Sequence, residues 1–160
     1  IRDYLHGLVP DFGELGAEPT QVLENLITLM GTECPPPLAV TISKFDTLQK
    51  LEHNPNTPWA KIMGNAGAAF RRDTGWNFHF DDSYVLHQEV DSLLRYLEAF
   101  DLINMVANVS KNGYRYFAVS ALGEAPTGRH LARSGIAPFR VLDPIRTLLS
   151  GYGVFGKDVQ

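Results

Sequence analysis

The sequence predicts an α/β fold in which helices flank a parallel sheet. Two short apolar runs, residues 38–42 and 114–119, are typical of buried strands. Segments with the apolar spacing of helices precede, separate and follow these runs, and that alternation favours a layered fold with parallel strands. The chain has 160 residues, of which 44% are apolar, so we expect one domain with its own hydrophobic core.

The helices are predicted from the spacing of apolar side chains and from capping residues. We expect helices over residues 19–30, 47–52, 102–109 and 143–149, and a long one that Asp81 or Asp82 caps and that continues to residue 97. Residues 1–17 lack a clear period and are predicted to be mainly loop. The stretch 59–80 is predicted to be irregular, as part of an insertion at 53–80.

Composition and charge exclude several classes of protein. The formal net charge is −4 and no basic stripe is present, so a nucleic-acid partner is not expected. The cluster Arg71, Arg72 and Asp73 is predicted to be a solvated loop. No apolar run is long enough to cross a bilayer, and no membrane partner is expected. The single cysteine, Cys34, cannot form an intramolecular disulfide, which favours a reducing, cytoplasmic setting. The chain begins at Ile1 without a methionine, which suggests a fragment of a longer protein.

Polar residues follow both predicted strands at the point where each strand ends. The sequence SKFD occupies residues 43–46, and SALG occupies residues 120–123. Parallel sheets bind their ligands at the carboxyl ends of the strands. We therefore expect the two stretches to lie at one edge of the sheet and to form a site there.

These two stretches resemble the base-contacting motifs of P-loop GTPases of the translation-factor class. SKFD is similar to the motif N/T-K-x-D, and SALG is similar to the second motif, S-A-K or S-A-L. The resemblance covers about residues 38–149 and is greatest to poorly characterised bacterial GTPase-like proteins. It implies a three-layer P-loop-GTPase-like sheet, with residues 1–160 forming one partial domain that corresponds to the carboxyl-terminal half of a GTPase.

The resemblance also implies a nucleotide site. Its residues would be Ser43, Lys44, Asp46, Ser120, Ala121 and Leu122. Asp46 would accept hydrogen bonds from two adjacent donors of guanine, and Lys44 would lie against the base. The amide of Ala121 would donate to the guanine oxygen, while Ser120 would hold the loop. The expected partners are a guanine nucleotide and the N-terminal half of the same domain. GTP or GDP would be the cofactor, with magnesium only in the complete parent.

The chain departs from a working GTPase in its phosphate-binding part. It has no G-x-x-x-x-G-K-[ST] sequence and no D-x-x-G sequence, and Ser43 stands where Asn or Thr is usual. We therefore assign no catalytic residue and no metal ligand. The chain alone is expected to bind GTP weakly and to hydrolyse none, and any hydrolysis would belong to its parent.

An alternative reading is a winged-helix DNA-binding module or a protein-interaction module. Residues 93–102 would then form the recognition helix and residues 109–114 the wing. A metal site at His79, Asp81, Asp82 and His87 is also conceivable from composition, but their spacing matches no standard pair of ligands. We expect cap and loop roles for these four residues, and core roles for the aromatic residues at 114, 116 and 117.

Overall fold

The computed structural model describes residues 18–30, 36–73, 79–124 and 135–154. In chain order the elements are α1 (Pro19–Met30), β1 (Leu38–Ile42), α2 (Phe45–Gln49), α3 (Pro58–Met63), α4 (Phe80–Tyr96), α5 (Phe100–Val109), β2 (Tyr114–Ala118) and α6 (Asp143–Gly151). Short 3-10 turns cover Lys50–His53 and Ala69–Arg71. The predictions for residues 1–17 and for Cys34 lie outside the described residues. Among the helices in these ranges, none combines the length and the apolar character needed to span a membrane.

Strands β1 and β2 lie side by side and run parallel. Their register pairs Leu38 with Tyr114 and Ile42 with Ala118, so the two strands end together. Helices α2 to α5 provide the crossover between them. The described part of the chain thus contains a two-stranded parallel sheet. The larger three-layer P-loop sheet stays a prediction.

The hydrophobic core lies where α4 packs against β2 and where the segment before α4 folds back onto both. Among the described residues its buried apolar side chains are Phe45, Leu51, Trp59, Met63, Ala68, Ala69, Phe70, Leu86, Val90, Leu93, Leu94, Leu97, Ile103, Val106, Tyr116, Phe117 and Ala118. Most of the α4 members recur at intervals of three or four residues, which places them on one face of that helix.

The segment before α4 is more regular than its sequence suggests. Pro58 starts helix α3 at a first-turn position, and Trp59 and Met63 extend from α3 into the core. Trp59 meets Tyr96 edge to face at 5.1 Å between ring centroids. The prediction that residues 59–80 are irregular was therefore wrong for this part, because a helix of six residues is too short to show a clear apolar period. The assignment of 53–80 as an insertion stays a prediction.

The start of α4 also differs from the prediction. His79 precedes the helix, and no side chain caps its first turn. Asp81 is exposed, while Asp82 binds two arginines that are described below. The prediction that Asp81 or Asp82 caps this helix was wrong, because ion pairs occupy the carboxylate of Asp82.

Helix α4 covers the edge of β2 that faces away from β1. The backbone amide of Tyr116 donates to Nδ1 of His87 over 3.1 Å, and the two rings stack at 5.4 Å. Only a neutral imidazole can accept this hydrogen bond. Burial of the ring, together with the nearby charge of Arg115, lowers the pKa of His87 below its usual 6.5. His87 is thus a neutral structural residue that holds the sheet edge.

The lowered pKa of His87 predicts a pH-dependent stability. The unfolded chain binds a proton at this residue more readily than the folded chain does, so the free energy of unfolding should fall as the pH decreases below about 6.5. Denaturant unfolding at several pH values between 5 and 8 measures this slope. His87→Gln should flatten it, whereas His53→Gln should not, because the His53 side chain is 79% exposed. Equal slopes in the two variants would contradict the assignment.

Candidate functional site

The structure brings the two predicted polar stretches together at the carboxyl edge of the sheet. The amide of Phe45 donates to the carbonyl of Val119 over 3.0 Å, which joins the loops that leave β1 and β2. The hydroxyl of Ser120 donates a short hydrogen bond to Oδ1 of Asp46. These two side chains are 74 residues apart in the sequence, and it is the parallel register of the strands that makes them neighbours.

Asp46 and Ser120 are both turned into the protein. Asp46 is 7% exposed and Ser120 is 2% exposed. The Ser120 oxygen also accepts a hydrogen bond from the amide of Gly123 over 2.9 Å. A carboxylate that recognises a nucleobase must present its oxygens to the ligand. In this structure one oxygen of Asp46 is engaged by Ser120, so the pair ties the two strand ends together.

The remaining residues of the predicted site lie around this pair. Ser43, Lys44 and Ala121 are exposed, and Leu122 is half-buried. Lys44 adopts a left-handed backbone conformation with φ of 53°, which turns the chain sharply from β1 into α2.

The backbone of residues 120–122 is paired with a third segment, residues 137–139. Ser120 and Phe139 exchange two backbone hydrogen bonds of 3.1 and 2.7 Å, and the amide of Ala137 donates to the carbonyl of Leu122 over 3.0 Å. This antiparallel contact fixes the segment that leads into α6. The SALG stretch therefore serves as an attachment point for the following segment.

Arg140 follows this attachment directly, and its side chain is 1% exposed. Its Nη1 donates to Asp143 over 2.9 Å, and its Nη2 forms a short ion pair with Asp82 on α4. Its Nε donates to the carbonyl of Arg72 over 2.8 Å. The guanidinium thus connects the α6 segment to α4 and to the chain before it, with each nitrogen bonded, as a buried arginine requires.

The arginine is surrounded by further charges. Its backbone amide donates to Asp73 over 3.2 Å, and Arg72 pairs with Asp82 at 2.7 Å. We call this group the Arg140 cluster, and its members are Arg72, Asp73, Asp82, Arg140 and Asp143. Residues 71–73 are exposed, as the prediction of a solvated loop expects, but Arg71 ends a 3-10 turn and the segment also bonds to Asp82 and Arg140.

Burial and ion pairing act in opposite directions on the carboxylates of the cluster. Burial disfavours the ionised form of Asp82, but the hydrogen bonds and charges of Arg140 and Arg72 outweigh it and lower its pKa. At Asp143 burial has the larger effect and raises the pKa, although Arg140 partly offsets it. The arginines therefore favour the ionised form of both carboxylates, and at Asp82 their effect outweighs that of burial.

The start of helix α6 combines a buried polar residue with exposed apolar ones. Asp143 is buried, and the rest of the helix from Arg146 to Ser150 is half-buried. Val141 and Leu142, which directly precede the helix, and Ile145 in its first turn are 40%, 46% and 56% exposed. We call these three residues the apolar face of α6. Because exposed apolar side chains that lie close together mark interaction sites, the apolar face of α6 is a candidate binding surface.

The winged-helix, metal-site and base-stacking alternatives find little support in the fold. Residues 93–102 are split between α4 and α5, and residues 109–114 lead from α5 into a parallel strand. The winged-helix form of the alternative was therefore wrong, because a wing is an antiparallel hairpin. No cluster of three or more metal-ligating side chains occurs in the described ranges. Tyr116 and Phe117 are fully buried, which leaves them no open face on which a base could stack.

Comparison with known proteins indicates a different relationship from the one that SKFD and SALG imply. The chain is 43% identical over 159 residues to a protein of Mycolicibacterium smegmatis that carries the provisional name ESX-1 scaffolding and assembly protein SaeC. The alignment covers 96% of the chain and 41% of that protein, so the chain spans about two-fifths of the relative's length. No protein-family model matches the chain. No solved structure matches it either.

This similarity overturns the interpretation as the carboxyl-terminal half of a P-loop GTPase. The predicted function was therefore also wrong. So were the predicted partners, which were a guanine nucleotide and the other half of a GTPase domain. GTP or GDP and magnesium as cofactors, and the six residues assigned to them, stay predictions of the sequence alone. Over nearly all of its length, the chain is similar to a bacterial protein named for scaffolding and assembly.

Proposed function

We propose that this chain is a protein-interaction module that contributes to the assembly of a larger complex. The observation that carries the proposal is the apolar face of α6, whose three side chains are all exposed. The relative's name supports it, because a scaffolding protein acts by binding other proteins. By this similarity, ESX-1 assembly is the process that we propose for the chain.

The size of the apolar face sets how much it can contribute to binding. Val141, Leu142 and Ile145 are each about half exposed. Because complete burial of such a side chain contributes about 1.5–3 kcal/mol, covering the exposed parts of all three would contribute roughly 2–4 kcal/mol. That is a change in affinity of about 30-fold to 1000-fold, on the order of what a binding hot spot supplies.

The Arg140 cluster helps to fix the position in which the apolar face of α6 is exposed to solvent. Arg140 fixes the start of α6 to α4 through Asp143 and Asp82, so the orientation is set before any partner arrives. A surface held in its binding orientation loses less conformational entropy on association.

Crosslinking in cells tests this proposal. We would place a photoreactive amino acid at Val141 in the protein expressed in its own cells and record the protein adducts. We expect a discrete adduct that Ile145→Glu abolishes, because a charge would be buried in the interface without a partner. Glu near the start of a helix is compatible with its dipole, so the fold should be retained.

The matched control is Leu29→Glu, which makes the same kind of change at an 85% exposed position of α1. It should leave the adduct unchanged. If no discrete adduct forms at position 141, or if both variants reduce it equally, the apolar face of α6 is not a binding surface.

A further inference from the structure

Strand β1 has one edge that is paired and one that faces away from β2. The amide of Leu38 donates to the carbonyl of Gly113 over 3.1 Å, and the carbonyl of Ile42 accepts from Val119 over 2.9 Å. These bonds and the parallel register assign residues 38, 40 and 42 to the ladder with β2. The backbone groups of Ala39 and Thr41 therefore point to the other edge, where no backbone hydrogen bond joins them to another described residue.

An apolar groove runs beside β1. Its volume is about 600 Å³, and it lies between β1, helix α1 and the leucines near the junction of α4 and α5. Val22 and Leu26 of α1 form part of its wall and are 52% and 44% exposed. None of the described residues that line it is ionisable. A charged group placed in the groove would thus lose its hydration without gaining a partner.

The burial of β1 is unusual for its type of sheet. Parallel strands are normally covered on both faces, and their sequences are continuous apolar runs, as the sequence of β1 largely is. Thr41 is nevertheless exposed, and the rest of the strand is only half-buried. An apolar strand whose outward backbone groups bond to no other described residue, beside an uncharged groove, has the properties of a strand-addition site.

We infer that β1 docks an extended, uncharged segment of a partner protein, which adds to the sheet as a third strand between β1 and α1. The inference rests on the proposed function only in taking a protein as the partner, and it uses a surface distinct from the apolar face of α6. The backbone of an extended segment can bond to Ala39 and Thr41, whereas the backbone of a helix is already bonded within itself. The five residues of β1 span about 16 Å, which suits a segment of about five residues with alternate apolar side chains.

A peptide titration followed by NMR tests the inference on the 160-residue chain. The probe is a capped pentapeptide of alternating valine and threonine, Val-Thr-Val-Thr-Val. We expect binding to slow hydrogen exchange at the amides of Ala39 and Thr41, which would become bonded. The amides of Val40 and Ile42 should change little, because they already bond to β2. This alternation distinguishes strand addition from apolar contact alone.

Two matched variants locate the peptide. Leu26→Glu adds a charge inside the groove and should weaken binding at least tenfold, whereas Leu29→Glu on the same helix lies outside the groove and should leave the affinity within twofold. Thr41→Pro removes an outward N–H without removing a bond to β2, so the chain should stay folded but lose the protection at the β1 edge.

The inference is overturned if the peptide does not bind at millimolar concentration, or if it binds without protecting Ala39 and Thr41. A helical peptide of alanine and leucine that binds more tightly than the valine–threonine peptide would also overturn it. These outcomes leave the crosslink at position 141 unaffected, so failure of the strand-addition site and failure of the proposed function can be told apart.

Discussion

Replacing Arg140 with methionine is expected to lower the free energy of unfolding by about 3–5 kcal/mol, the cost of breaking a buried ion pair from one side. Methionine has a similar length and no charge, so packing is largely retained. The carboxylates of Asp82 and Asp143 would lose their main buried counterion, and two backbone carbonyls would lose their donor. Denaturant unfolding monitored by circular dichroism measures the effect.

Two further substitutions separate charge from geometry. Arg140→Lys should have an intermediate effect, because an ammonium group cannot bond to Asp82, Asp143 and the carbonyls with the forked geometry of a guanidinium. Arg95→Met is the matched surface control, since Arg95 forms an exposed ion pair with Asp91 one helical turn away. It should change stability little. If Arg140→Met and Arg95→Met unfold at the same denaturant concentration, the Arg140 cluster does not hold α6 in place.

The local structure of this chain could be read largely from its sequence. The apolar run at residues 38–42 matches the bounds of β1, and the run that begins at Tyr114 matches β2 to within one residue. The proximity of Asp46 and Ser120 could also be anticipated, since residues that end adjacent parallel strands meet at one edge. The hydrogen bond between them could not, because a carboxylate that binds a base and one that joins two loops are both compatible with the sequence SKFD.

The Arg140 cluster and the apolar face of α6 could not be predicted in this way. Arg140 is a single basic residue between Phe139 and Val141, and its partner Asp82 lies 58 residues away. The periodicity of α6 indicates an amphipathic helix, but periodicity does not show which face is turned inward. The usual assumption that apolar residues at the start of a helix are buried fails here, where Asp143 is buried beside Arg140 and Ile145 is exposed. Helix α3 offered one usable signal, the Thr57-Pro58 pair at its start.

Replacing Gly123 with alanine is expected to have the second large effect on stability. Gly123 has a φ of +77°, which costs a residue with a side chain about 1–3 kcal/mol. A Cβ atom at this position would also lie 1.9 Å from the carbonyl oxygen of Ala137, well inside contact distance. The clash involves backbone, so the antiparallel contact between residues 120–122 and 137–139 would have to open, and the hydrogen bond from Ala137 to Leu122 would be lost with it.

Gly113→Ala separates the two causes. Gly113 has a φ of +93°, but no atom of the described residues lies within 4 Å of the place that an alanine Cβ would take. Both variants lose the backbone freedom of glycine, and only Gly123→Ala also meets the carbonyl of Ala137. The difference between their free energies of unfolding therefore measures how tightly the segment before α6 is attached to the sheet edge.

Gly123→Ala should be clearly the less stable of these two variants, and hydrogen exchange in α6 should accelerate in that variant alone. The acceleration is expected because the contact that opens, between residues 120–122 and 137–139, is the one that leads into α6. Equal destabilisation of the two variants would mean that residues 137–139 can move away from the added Cβ atom without a cost in free energy. The contact between residues 120–122 and 137–139 would then not hold the apolar face of α6 in a fixed position.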